Sequence, residues 1–86
     1  MKFPLGRLVA TPSALTLLGE VQIEALVSRH SAGDWGLVCI EDAEANEWAL
    51  ANDARILSVY VVDDTRIYII TEADRSSTCV LLAKEY

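Results

Sequence analysis

Two rhythms of apolar and polar positions divide this chain, and they meet near Asp53. Before that point the spacing is helical. Ile23, Leu26, Val27 and His30 stand at i, i+3, i+4 and i+7, which predicts an amphipathic helix over about 21–30. Upstream, Thr11 followed by Pro12 is a helix start, with Thr11 as N-cap and Pro12 in the first turn. That helix runs to Leu18 with Leu15 and Leu18 inward, and Gly19 breaks it. Ser31-Ala32-Gly33 ends the second helix. Asp34 then caps a third that reaches about Ala51, closed by Asn52-Asp53.

After Asp53 the pattern changes to runs of β-branched and aromatic residues. "RILSVYVV" (55–62), "RIYIIT" (66–71) and "STCVLL" (77–82) are predicted strands. Asp63-Asp64 and Thr65 make the first hairpin turn, and "EADRSS" (72–77) supplies the second. The fold class is therefore α+β: two to three N-terminal helices packed on a three-stranded antiparallel meander, all in one domain. "GRLVA" (6–10) is able to add a fourth strand. The predicted sheet is apolar on both faces. One face meets the helices, and the other needs the N-terminal segment, a second protomer or a partner. A homodimer is one expected outcome.

Composition sharpens this picture. The chain has 86 residues, 52% of them hydrophobic, so it folds rather than staying disordered. No run is long and apolar enough for a membrane span. "MKFPLGRLVATP" is interrupted by Pro4, Gly6, Arg7 and Pro12, which makes a poor signal peptide, and the expected location is cytoplasmic. Cys39 and Cys79 sit in apolar contexts and read as small buried hydrophobes.

Charge is the most informative feature. The net charge is −6, and residues 1–40 and 65–86 are each balanced. The whole imbalance lies between 41 and 64, where Glu41, Asp42, Glu44, Glu47, Asp53, Asp63 and Asp64 face Arg55 alone. The absence of a basic patch disfavours direct binding to nucleic acid, whereas an acidic block attracts a basic partner.

No catalytic, metal or cofactor motif emerges. His30 has Ser31 and Asp34 nearby in sequence, but neighbours at a helix end do not make a triad, and packing or capping is its expected role. In "TEADRSS" an Asp–backbone bond and an exposed ion pair account for the turn, with Arg75 left as a partner-contact candidate. Trp35 reads as a packing anchor. Trp48 fits two helix phases. One buries it with Val38, Ala45 and Ala49; the other sets it at the edge of an acidic face with Glu41, Glu44 and Glu47. The candidate partner-binding set is Glu41, Asp42, Glu44, Glu47, Trp48, Asp63 and Asp64.

Four segments, "MKFPLGRLVATPSAL", "GDWG", "RILSVY" and "ITEADRSSTCVLLAKEY", carry a resemblance. The chain resembles a group of small bacterial proteins of unknown function, labelled plasmid-related and carried on plasmids and integrative elements. The resemblance brings no catalytic residue and no cofactor. It implies a mobile-element accessory protein that binds host machinery. One expectation is therefore an acidic inhibitor of a host nucleic-acid-handling defence complex, of the anti-CRISPR kind. The alternative is a small homodimeric structural or regulatory module in element maintenance.

Overall fold

The computed structural model describes residues 1–86 as four strands and two helices. In chain order these are β1 (Arg7–Ala10), α1 (Pro12–Ser31), α2 (Ile40–Asn52), β2 (Ile56–Val62), β3 (Thr65–Thr71) and β4 (Ser77–Leu82). The class is α+β. β2, β3 and β4 form the antiparallel meander, and β1 joins it parallel to β4, giving the sheet order β1-β4-β3-β2. The fourth strand is thus present, and it makes the sheet mixed. No helix is long and apolar enough to cross a membrane.

α1 starts as its sequence dictates. Thr11 is the N-cap, its hydroxyl accepting from the Ala14 N–H at 3.2 Å, and Pro12 occupies the first turn. Gly19 breaks the helix with φ 72° and ψ 166°, a conformation that only glycine adopts without strain. The two segments present different faces. Ala14 and Leu18 are buried before the break; Ile23, Leu26, Val27 and His30 are buried after it. Leu15 points outward, contrary to expectation, because the one-residue offset from Ala14 turns it away from the sheet.

The third helix starts later than the sequence suggested. Residues 34–39 are not helical, and Cys39 rather than Asp34 is the N-cap of α2. Asp34 instead bonds Arg29 at 2.7 Å and accepts from the Gly36 N–H at 3.2 Å. Trp35, Gly36 and Leu37 run along the outer edge of β2. The Val59 N–H donates to Trp35 O at 3.0 Å, and the Leu37 N–H donates to Val59 O at 2.7 Å. Gly36 has φ 73°, and a Cβ there would collide with the Val59 carbonyl and the Tyr60 ring. Cys39 is exposed and Cys79 half-buried, so neither is the buried small hydrophobe expected.

The main core lies between α1 and one sheet face, where Tyr60, Ile67, Ile69, Val80 and Leu82 meet Ala14, Leu18, Ile23, Leu26 and Val27. A satellite cluster of Phe3, Trp35, Ala49 and Ile56 anchors α2 and the N-terminal segment, and Trp35 is the packing anchor its sequence suggested. The second sheet face is partly covered from within. Tyr86 follows a single helical turn (Ala83–Glu85), stacks edge-on against Tyr68 at 5.8 Å and lies under the Arg55 guanidinium. Ile70 and Leu81 on that face are buried. A bare second face is therefore no longer a reason for dimerisation.

Candidate protein-interaction face

The position of α2 follows from a polar residue inside its apolar stripe. Asn46 is buried, and its amide donates to Leu57 O at 2.7 Å and accepts from Leu57 N–H at 3.1 Å. Together with Ala49, Asn46 turns one helix face to the edge of β2. This settles the phase of the helix. Trp48 stands on the opposite face and is 61% exposed. Ile40, two turns before it, is 74% exposed. With 100° per residue, Ile40, Glu44, Trp48 and Glu41 fall within about 100° of the helix circumference. Leu37, just ahead of the helix, is also exposed. The face is therefore apolar at its ends and acidic between them.

The acidic block separates into distinct roles. Glu47 accepts a hydrogen bond from the Trp35 Nε1–H at 2.9 Å, so it fastens α2 to a buried indole. Glu41 and Asp42 lie in the first helical turn, where carboxylates oppose the positive end of the helix dipole. Asp53 caps the C-terminus in the left-handed conformation, φ 50°. Asp63 and Asp64 form the hairpin turn with φ 49° and 60°, the conformation of a type I′ turn. No hydrogen bond or ion pair joins this turn to α2. Of the candidate residues, Glu41, Asp42, Glu44 and Trp48 share exposed parts of α2, Glu47 is tied to Trp35, and Asp63 and Asp64 belong to a separate turn. Among these acids, Glu44 alone has no cap, turn, first-turn or hydrogen-bond role.

The Arg75 side chain is engaged within its own chain. Its guanidinium donates to Ala54 O at 2.6 Å, Glu72 O at 3.0 Å and Ala49 O at 2.9 Å, closing the C-terminus of α2 against the β3–β4 turn. That turn has the Asp–backbone bond expected of it, from the Ser76 N–H to Asp74 at 2.9 Å, and Arg55 lies 3.7 Å from Glu72. Hydrogen bonding from Ser76, by its side chain first and then by its N–H, holds the Asp74 carboxyl below its ordinary value.

The chemically richest cluster is sealed in the core. His30 is fully buried between Ser58 and Thr71. The Thr78 hydroxyl donates to Leu5 O at 2.8 Å, which fixes every proton upstream. Thr71 donates to Thr78 at 2.6 Å, His30 Nε2–H donates to Thr71 at 2.9 Å, and Ser58 donates to His30 Nδ1. Burial pushes the imidazole pKa down to about 4. A serine hydroxyl on an imidazole suggests nucleophilic chemistry, but no carboxylate orients the ring and no groove reaches it. The sequence showed His30 on the apolar stripe; its partners, 28 and 41 residues away, left no local signal. No three His, Cys, Asp or Glu side chains are grouped to hold a metal.

Comparison with family models, curated proteins and solved structures returns no match.

Proposed function

We propose that this protein works by protein–protein interaction, presenting the outer face of α2 to a basic surface on its partner. The observation that carries the reading is Trp48, a tryptophan 61% exposed beside Glu44 and Glu41 and in line with Ile40. An exposed indole has little to offer a monomer. At an interface it is among the strongest anchors, and acidic neighbours add steering and register against a basic partner. The identity of the partner rests on the sequence resemblance to mobile-element proteins. It is a host complex that handles nucleic acid, such as a CRISPR-type defence complex, whose nucleic-acid channel is necessarily basic. Docking of α2 at such a surface blocks it without chemistry, consistent with the sealed His30 cluster.

The test is a defence assay in a host carrying an active nucleic-acid-targeting system, with affinity purification in parallel. The wild-type protein protects a targeted plasmid and retains a subunit of the targeting complex. Trp48→Ala and Glu44→Lys lose both while remaining folded. Protection unchanged by both substitutions would sink the reading.

A further inference from the structure

We propose that the protein pairs with a second copy of itself through β1, the two strands running antiparallel about a two-fold axis at Val9. This surface is distinct from the α2 face and does not depend on it.

The two sheet edges are treated differently. On β2, Asn46 satisfies Leu57, and Trp35 and Leu37 satisfy Val59. On β1 nothing does this. The Arg7 N–H donates to Ser76 O at 2.9 Å and the Thr11 N–H to Val80 O at 3.0 Å, so residues 7, 9 and 11 turn their backbone toward β4. Leu8 and Ala10 therefore direct N–H and C=O outward, an open template for another strand. The pattern is its own complement. With Leu8 opposite Ala10 of the second copy, four N–H···O bonds use every outward group of both residues. Pro12 has no N–H and ends the pairing there.

Side chains favour the same register. Leu8, Val9 and Leu15 are among the exposed large hydrophobics, and they line a groove of about 280 Å³ together with Ile23. The two-fold lays the second copy's strand along this groove, with Val9 against Val9 on the opposite sheet face. Arg7 makes no ion pair within its own chain and is exposed. In this register it stands opposite Thr11 of the second copy, whose hydroxyl donates to Glu85 at 2.8 Å. Each Arg7 thus meets a carboxylate, twice per dimer. A foreign strand could use the same backbone groups, but the second copy also supplies the counter-charge. Glu20 and Glu24 rim the groove on the helix side, so like charges oppose one another there and the dimer is weak.

Sedimentation of the whole chain over concentrations from tens of micromolar to about 1 mM tests this, the range in which short interfaces associate. Wild type shifts from monomer to dimer. Leu8→Pro removes an outward N–H while leaving the bonds to β4 intact, and it stays monomeric with an unchanged melting curve. A register-specific probe is Val9→Cys with Cys39→Ser and Cys79→Ala, the last because Val9 is paired with Cys79 in the sheet. Directly opposed non-hydrogen-bonded residues lie about 4.5 Å apart at Cα, within reach of a disulfide. Val9→Cys therefore crosslinks into a covalent dimer under a glutathione buffer, whereas Leu8→Cys in the same background does not. A wild type that remains monomeric throughout overturns the proposal. So does self-association that survives Leu8→Pro or fails to crosslink at Val9→Cys, since another surface would then be responsible.

Discussion

Asn46 completes the edge of the sheet by mimicking a strand: its carboxamide takes both backbone groups of Leu57, one bond each way. Asn46→Ala leaves the Leu57 N–H and C=O without partners at a part-buried site. The expected loss is about 1–3 kcal/mol, with a fall in melting temperature of several degrees for each kcal/mol. Asn46→Asp keeps the acceptor but sets a buried carboxylate oxygen against Leu57 O, so at neutral pH it costs at least as much as Asn46→Ala. Chemical denaturation ranks the three proteins, and hydrogen exchange at Leu57 locates the damage.

His30 links stability to pH. In the unfolded chain the imidazole takes a proton near pH 6.5; in the folded core it does so only at about 4. Between these values the unfolded state holds more protons, so stability rises with pH. The contribution is complete above pH 6.5 and is lost as pH falls to about 4, amounting to about 3 kcal/mol over the window. His30→Gln costs stability at neutral pH but flattens the slope between pH 6.5 and 5. A wild-type denaturation midpoint that is level across that interval contradicts the burial argument.

Glu44 and Glu47 look equivalent in sequence and are not. Glu44→Lys changes an exposed charge, and stability moves within about 0.5 kcal/mol. Glu47→Lys leaves the buried Trp35 Nε1–H without its acceptor and costs about 1–2 kcal/mol. Urea titrations followed by tryptophan fluorescence separate the two.

Trp48→Ala reverses that pattern. Its ring is exposed, so folding stability changes by less than about 1 kcal/mol. Partner affinity falls by about 2 kcal/mol, close to thirtyfold. Calorimetry of the folded variant against the purified partner reads the second number.

The hairpin offers a stabilising change. Asp63 and Asp64 both carry positive φ, and Asn-Gly is the preferred pair for such a turn. Asp63→Asn combined with Asp64→Gly is expected to raise stability by up to about 1 kcal/mol and to leave partner binding through α2 unchanged. A loss of affinity would return these two acids to the interface.

The strands, the Gly19 break and the Thr11 cap were legible because each depends on neighbours in sequence: alternation, a permissive residue, a capping hydroxyl. The start of α2 was not. Asp34 has the chemistry of a cap, but Arg29 and Gly36 claim its carboxylate, and residues 35–37 are drawn to a strand more than twenty positions ahead. The phase of α2 turned on Asn46, and its sign was a lone amide among Ala43, Ala49 and Leu50, a stripe otherwise apolar. The seven acids of the 41–64 block do not form one patch: Glu41, Asp42, Glu44 and Glu47 lie on α2, Asp53 caps it, and Asp63 and Asp64 sit in the hairpin turn. Left-handed turns also favour aspartate, and three of the seven acids serve backbone conformation.

The parallel pairing of Arg7 with Ser77 and of Ala10 with Val80 also governs how the molecule is made. Synthesis proceeds from the N-terminus, so β1 emerges first and the strand it needs emerges last of the four. Helices and the β2–β3 hairpin close over short stretches of chain, whereas this contact spans seventy residues and is the slow, nonlocal step. Until β4 arrives, "RLVA" is an unpaired apolar segment on a nascent chain, open to chaperones and to its neighbours on the same messenger.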